Sequence, residues 1–291
     1  MRYASGEEFL AAPRKAVTVF GMSGLGKTWL ADRLRADSWF HYSADYRIGT
    51  RYMGEHIVDN FKREAMKVPL LRELLLSDSI YISSNLRFAN LSPLSTYLGK
   101  PGAPAKGGIP FKEYVHRQQQ HRAAEISAML DVPQFIDKAH DIYGYAHFMC
   151  DASGSLCEVV DPQDADDPVL RTLTDHTLLV YLRGSNAHTR TLIERFDAAP
   201  KPMYYAPDFL AKSWDTFKRE NGDLADDAVD PDAFIRWGYA QLLAYRQPVY
   251  EAIADHHGVT VDAAALAAAP DTTAILTLIA SAIDAAGANA T

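Results

Sequence analysis

A glycine-rich segment near the start of the chain carries the residues with the clearest chemical signature. Residues 21–28 match the pattern G-x-x-x-x-G-K-[S/T] at every fixed position. Glycine at these positions lets backbone N–H groups turn toward phosphate oxygens, and the N-terminus of a following helix adds partial positive charge. The pattern therefore predicts a nucleotide-binding site. Its residues are Gly21, Met22, Ser23, Gly24, Leu25, Gly26, Lys27 and Thr28.

Side chains in and near this segment are expected to hold the phosphates and a metal ion. The Lys27 ammonium should reach the β- and γ-phosphates, and the Thr28 hydroxyl should ligate Mg²⁺. Asp151 follows the apolar run 145–150, and a carboxylate at the end of an inner strand can hold the same ion. The alternative for Asp151 is a cap on a helix that begins near Ser153. ATP and Mg²⁺ are the predicted cofactors, and the pattern does not distinguish ATP from GTP.

Alternating strand and helix patterns surround the glycine-rich segment. Apolar and β-branched runs predict strands at 16–20, 39–42, 145–150, 178–182 and 258–262. Apolar residues at helical spacing predict helices at 27–36, 55–67, 69–76, 111–130, 186–197 and 231–255, and a further one capped by Asp271. Strands that alternate with helices form a parallel sheet covered on both faces. We therefore predict an α/β fold, the three-layer α/β/α architecture of P-loop NTPases, with about five parallel strands.

The chain shows no internal repeat and no clear linker, so a single domain over residues 1–291 is expected. Residues 70–140 are interpreted as an inserted, mainly helical subdomain. Helical periodicity is lost over 77–110, and residues 100–110 are dense in glycine and proline. A loop of this kind is typical of a lid or a binding loop.

Composition excludes several classes of protein. The chain has 291 residues, of which 48% are hydrophobic and 23% charged, and this is enough apolar material for a packed core. Its net charge of −8 disfavours nucleic acid as a partner. It has no apolar run of membrane-spanning length and no secretory signal, and the spacing of Cys150 and Cys157 fits neither a redox pair nor a zinc site. A cytoplasmic protein without a membrane partner is expected.

The order of several segments resembles the shikimate kinase family of small-molecule kinases, relatives of the gluconate and nucleoside monophosphate kinases. The glycine-rich segment comes first, and Ser-Ala-Asp at 43–45 follows the second predicted strand. Residues 179–204 contain a strand, a helix and Lys-Pro-Met-Tyr, and residues 246–262 begin with Arg-Gln-Pro-Val-Tyr and end at the last predicted strand. The resemblance implies a P-loop kinase fold and ATP-dependent phosphoryl transfer to a hydroxyl of a small, anionic metabolite.

The resemblance also implies roles for single residues. Asp45 would orient or deprotonate the acceptor hydroxyl. Arg246 would clamp the anionic group of the acceptor, with Arg63 as a second acceptor-binding arginine. Arg195 and Lys201 would be lid cations over the transferring phosphoryl group. Other interpretations stay open, namely a turn cap for Asp45 and ordinary surface charges for Arg195 and Arg246.

The sequence departs from the family pattern at three places. Ser43 stands where the family has the first of two aspartates, so Mg²⁺ must depend more on Thr28 and Asp151. Ala-Ser-Gly-Ser at 152–155 stands where a triple glycine binds shikimate, and the 70–140 segment has no counterpart in a minimal member. The expected acceptor is therefore a metabolite other than shikimate.

Two alternative functions use the same nucleotide site. One is an ATPase or nucleotide-dependent switch without a small-molecule acceptor, in which the 70–140 insertion binds a protein partner. The other is a polynucleotide kinase, which the net charge disfavours and which needs a basic channel. Candidate residues for that channel are Lys100, Lys106, Arg117 and Arg122.

Overall fold

The structure is a computed structural model and describes residues 3–289. The strands are β1 (Ala16–Phe20), β2 (Trp39–Ser43), β3 (His147–Asp151), β4 (Leu178–Arg183) and β5 (Gly258–Asp262). The helices are α1 (Gly6–Ala11), α2 (Lys27–Arg35), α3 (Ala44–Arg47), α4 (Gly54–Ala65), α5 (Pro69–Leu76), α6 (Ser92–Leu98), α7 (Phe111–Leu130), α8 (Val132–Asp141), α9 (Pro168–His176), α10 (Asn186–Ala198), α11 (Pro207–Glu220), α12 (Pro231–His257), α13 (Ala263–Ala267) and α14 (Thr272–Asn289). A π-helix, Ile48–Tyr52, joins α3 to the segment before α4.

The strands form one parallel five-stranded sheet in the order β2-β3-β1-β4-β5. β1 lies at its centre, and all of its residues are buried, as expected for a strand covered on both faces. The predicted α/β class, three-layer architecture and strand number are confirmed.

Aromatic side chains cover one face of the sheet. Phe40 of β2 and Phe148 of β3 are partners in register and stack with ring centroids 5.8 Å apart. Farther along the same face, Phe20 of β1 stacks on Tyr181 of β4. Tyr250 of α12 stacks on Tyr181 with ring centroids 5.7 Å apart and so covers this part of the face. On the sheet's other side, α2 packs on β2 and β3, and α14 packs on β5.

Two of the predicted helices begin at clear local signals. α5 begins at Pro69, a residue suited to the first helical position, and α14 begins after Asp271, whose carboxylate accepts the Ala274 N–H. The expectation that 77–110 lacks helix is wrong over Ser92–Leu98, a helix too short to show clear periodicity.

The described residues divide into two compact units. The first contains the residues up to Ala44, Glu125–Ala199 and those from Gly238, and it includes the entire sheet. The second contains Asp45–Ala124 and Pro200–Trp237. The prediction of a single domain with an insertion at 70–140 stays a prediction.

The second unit has its own aromatic core and a fixed glycine- and proline-rich loop. Phe111 and Trp214 stack with ring centroids 4.4 Å apart. Lys100 pairs with Asp232 at 2.6 Å, and Lys106 pairs with Asp230 at 2.9 Å. The loop that the sequence marks as a lid or binding loop is thus tied by Lys106 to the residue before α12 and by Lys100 to the first turn of α12. Within residues 3–289, no helix combines the length and apolar content needed to cross a bilayer.

Candidate phosphate-binding site

The glycine-rich segment connects the buried strand β1 to the start of α2, as the motif requires. Gly24 and Gly26 have φ angles of 85° and 94°, in the left-handed region that residues with a Cβ disfavour. A Cβ on Gly26 would meet nothing within 4 Å, so the space beside this backbone is open. The turn therefore exposes its backbone at the N-terminus of α2, where an anion is electrostatically favoured.

The side chain of Lys27 folds back over the loop. Its Nζ donates to the carbonyl oxygens of Gly21 at 2.9 Å and Met22 at 3.1 Å, and the residue is buried. These hydrogen bonds hold the ammonium against the turn. A positive charge fixed there is suited to neutralising phosphate oxygens.

Thr28 and Asp151 meet at the carboxyl ends of β1 and β3. The two strands pair in parallel, with Val19 opposite Asp151, so the carboxylate comes close to the loop that follows β1. The Thr28 hydroxyl donates to Asp151 Oδ2 at 3.1 Å. Ser43 at the end of β2 is the register partner of Asp151, and His41 Nε2 lies 3.9 Å from Asp151 Oδ2. Ligands of parallel α/β sheets bind at this edge.

The oxygen atoms of Thr28 and Asp151 fit a magnesium ion that arrives with a nucleotide. Mg²⁺ prefers oxygen ligands and is usually held by one or two protein side chains together with phosphate oxygens and water. Among the described residues, no group of three or more His, Cys, Asp and Glu side chains could form an all-protein cage. The helix-cap alternative fits less well, because Asp151 ends β3 and the next helical turn begins only at Leu156.

The segment that follows Asp151 makes contacts that the sequence analysis did not predict. Gly154 lies against Ser23, and Ser153 and Ser155 donate hydrogen bonds to the buried carboxylate of Glu125. The serines lie 28 and 30 residues from Glu125 along the chain. A lone glutamate in a helical pattern gives no signal of such partners.

Arg246 is buried, with 3% of its surface exposed, so it is not a solvated helical charge. Its Nη2 donates to Glu158 at 2.5 Å. Burial by itself lowers the pKa of Arg246, but the surrounding groups, the Glu158 carboxylate first and then Tyr250 and Cys157, together outweigh this effect, so the pKa is raised and the guanidinium stays charged. The acceptor-clamping role implied by the family resemblance stays a prediction.

The other predicted site residues lie on helices and connections of the two units. Arg195 belongs to the first unit and is exposed on α10. Asp45, half-buried in α3, Arg63, exposed on α4, and Lys201, exposed before α11, belong to the second unit. Within the first unit, the structure brings Asp151 together with the glycine-rich segment 21–28, which we call the phosphate loop. The roles of Asp45, Arg63, Arg195 and Lys201 stay predictions.

The second unit contains an open polar cavity of about 760 Å³ between the π-helix, α4 and residues 83–84. Its basic lining residues are Arg51, His56 and Lys62, and its acidic ones are Glu55 and Asp59. Arg63, adjacent in sequence, is not part of this lining. The volume is that of a site for a small ligand.

The basic residues suggested for a nucleic-acid channel are largely engaged in the second unit. Besides the Lys100 and Lys106 pairs, Arg117 contacts Glu113 at 2.8 Å and donates to the Tyr97 carbonyl oxygen at 2.5 Å. Three of the four suggested residues are thus held by partners, Arg122 is half-buried on α7, and the polynucleotide kinase alternative stays a prediction.

Comparison with known proteins gives a distant structural likeness. No protein-family model matches the sequence, and no similar curated protein was found. Among solved structures, the chain is similar to a shikimate kinase from Bacteroides thetaiotaomicron, with a TM-score of 0.39 and 12% sequence identity. The alignment covers 95% of this chain and 96% of that one.

Proposed function

We propose that this protein is an ATP-dependent phosphotransferase that acts on a hydroxyl group of a small, anionic metabolite. The observation that carries the proposal is the phosphate loop between β1 and α2, with the Thr28 hydroxyl 3.1 Å from the Asp151 carboxylate. A loop of this sequence in this strand–helix context binds nucleoside triphosphates. The arrangement of oxygen atoms beside it suits the magnesium ion that accompanies them.

In this proposal the phosphate loop holds the donor and Lys27 neutralises charge on the β- and γ-phosphates. Thr28 and Asp151 would hold Mg²⁺, which when bound supplies further positive charge beside the phosphate oxygens. Asp45 orients the acceptor hydroxyl and takes its proton. The acceptor oxygen then bonds to the γ-phosphorus while the bond between that phosphorus and the ADP oxygen breaks, so ADP is the leaving group.

Cationic side chains provide the remaining contacts of the proposed reaction. Arg195 and Lys201 stabilise the charge on the transferring phosphoryl group, where positioning and electrostatics provide most of the rate. Arg63 and Arg246 bind the anionic group of the acceptor. Arg246 and Glu158 already form a buried ion pair. The role of Arg246 therefore requires its guanidinium to bind the acceptor and Glu158 at the same time.

The test is an ADP-release assay with the purified protein, ATP, Mg²⁺ and a panel of hydroxylated, anionic metabolites. At least one acceptor should raise turnover well above hydrolysis by water, and the product should carry the γ-phosphate. The Lys27→Ala variant should lose this activity. ADP release that no acceptor increases would contradict the kinase proposal and favour an ATPase or a nucleotide-dependent switch.

A further inference from the structure

The turn that follows Asp151 runs directly beside the phosphate loop. A methyl group on Gly154 would lie 2.4 Å from Ser23 Oγ and 3.5 Å from the Ser23 backbone nitrogen. Ser23 is one of the residues of the nucleotide-binding pattern. The position of this turn therefore bears on both the phosphate loop and the carboxylate of Asp151, three residues before Gly154.

A buried carboxylate anchors the turn. Glu125 is fully buried, and its two carboxylate oxygens accept hydrogen bonds from the hydroxyls of Ser153 and Ser155. The Ser155 bond is 2.7 Å long, and the two serine oxygens lie 3.1 Å apart. Each of these bonds ties one serine of the turn to the same side chain of α7.

Two further contacts fix the same turn from other elements of the first unit. The Tyr250 hydroxyl on α12 donates to the Gly154 carbonyl oxygen at 2.5 Å. The Ala152 N–H donates to the Val19 carbonyl oxygen of β1 at 3.0 Å. The turn is thus held between the central strand, a tyrosine and a buried glutamate.

Burying a carboxylate is costly, and a buried position of this kind is usually filled by an apolar residue. At Glu125 two hydroxyl donors from the turn beside the phosphate loop offset part of this cost. An apolar residue could fill the space, but it could not fix the orientation of the two serines.

We propose that Glu125 is a positioning residue of the nucleotide site: through Ser153 and Ser155 it holds the turn so that Asp151 faces Thr28 and Gly154 abuts Ser23. This inference rests on the proposed function and adds a residue to it. Glu125 does not touch the substrate. Its effect should therefore appear in how strongly Mg²⁺ tightens nucleotide binding.

The experiment is calorimetric titration of the full chain with ATP, once with Mg²⁺ and once with EDTA. In Glu125→Ala the tightening by Mg²⁺ should fall by about tenfold, the lower end of the effect of losing a direct partner of a metal ligand, because Glu125 acts on Asp151 through the turn. Glu125→Gln should restore most of it, because an amide can bond both serines. Amide hydrogen exchange of residues 152–155 should accelerate in Glu125→Ala and return toward the wild-type rate in Glu125→Gln.

A matched control separates this role from a general loss of stability. Thr177 is buried, and its hydroxyl lies 2.8 Å from that of Thr18. Thr177→Val removes this contact at the start of β4 and should leave the Mg²⁺ effect unchanged. If Glu125→Ala does not fold, Ser155→Ala removes one of the two donors and should reduce the Mg²⁺ effect in the same direction.

The proposal would be overturned if Glu125→Ala or Ser155→Ala folds and keeps both the wild-type Mg²⁺ effect and the wild-type amide hydrogen exchange of residues 152–155. A reduction of the Mg²⁺ effect in Thr177→Val equal to that in Glu125→Ala would also overturn it. If the wild-type protein binds no ATP, the proposed function fails instead. In that case the amide hydrogen exchange of residues 152–155, compared between Glu125→Ala and the wild type, still shows whether Glu125 holds the turn.

Discussion

At the scale of single residues, the contact between Thr28 and Asp151 is the one on which the proposed function most closely depends. The local motif predicts Lys27 and Thr28, since their roles depend on eight consecutive residues. Asp151 is also predictable, because a carboxylate at the end of an apolar run lies at the edge of the sheet. Glu125 was not predictable, because its partners depend on tertiary packing across many residues.

Replacing Thr28 with valine should abolish most of the tightening of ATP binding by Mg²⁺, because the side chain keeps its shape and loses its hydroxyl. Thr28 is exposed, so the free energy of unfolding should change by less than about 0.5 kcal/mol. Titration with ATP in Mg²⁺ and in EDTA measures the effect. Thr28→Ser keeps the hydroxyl and should behave like the wild type; equal Mg²⁺ effects in Thr28→Val and the wild type would contradict this role.

The buried pair of Arg246 and Glu158 makes a second residue-scale prediction. Arg246→Met should lower the free energy of unfolding by about 3–5 kcal/mol, because it leaves the Glu158 carboxylate buried without its cation. Urea unfolding measures the change. The double variant Arg246→Met with Glu158→Leu should recover much of the stability, since no buried charge is left unpaired. An Arg246→Met variant as stable as the wild type would show that the pair is not formed in solution.

At the scale of elements, the strands were predicted well because each is a short apolar run, and β5 has its predicted bounds. Helices were harder: α6, α8, α9 and α11 were not predicted, although a proline stands in the first turn of each. The glycine- and proline-rich loop shows a second limit. Its composition indicated irregular backbone, but only the fold shows that Lys100 and Lys106 face aspartates.

The start of β3 carries a pH-dependent contact. His147 Nδ1 accepts the Lys15 backbone N–H at 3.1 Å, which requires that nitrogen to be unprotonated. Burial, followed by the charges of Lys15 and His140, lowers the pKa of His147 below its usual 6.5. The unfolded chain then binds the proton more tightly than the folded chain. Stability from this group is present above pH 6.5 and is lost as the pH falls through the lowered folded-state pKa.

Replacing His147 with asparagine should remove this part of the acid destabilisation, because the amide oxygen can accept the same hydrogen bond and does not titrate. Denaturant unfolding over a pH series below 6.5 measures the difference between the two proteins. The wild type should lose more stability than His147→Asn as the pH falls. Parallel losses in both proteins would show that another group is responsible.

At the scale of the whole molecule, the sequence predicted the α/β class because strands alternate with helices around one phosphate loop. It did not predict the two compact units. Of their four boundaries along the chain, those at 124–125 and 237–238 fall inside α7 and α12, where helical periodicity continues without interruption. A boundary within a helix leaves no linker composition for sequence analysis to detect.

The net charge of −8 is also a property of the whole molecule. It favours small anions held at specific cationic groups over extended binding to nucleic acid. The phosphate loop meets this requirement with backbone N–H groups and one buried ammonium. The function we propose therefore depends on that loop more than on any other part of the chain.

Calorimetric titration with ATP and Mg²⁺, on the wild type and on Lys27→Ala, tests this claim most directly. The wild type should bind, and Lys27→Ala should bind at least about tenfold more weakly, because a hydrogen bond with a charged partner contributes about 1.5–3 kcal/mol. Lys106→Ala makes the same change in net charge within the second unit, where Lys106 pairs with Asp230, and should bind as the wild type does. Absence of heat from ATP and from GTP with the folded wild type, or wild-type affinity in Lys27→Ala, would contradict the account.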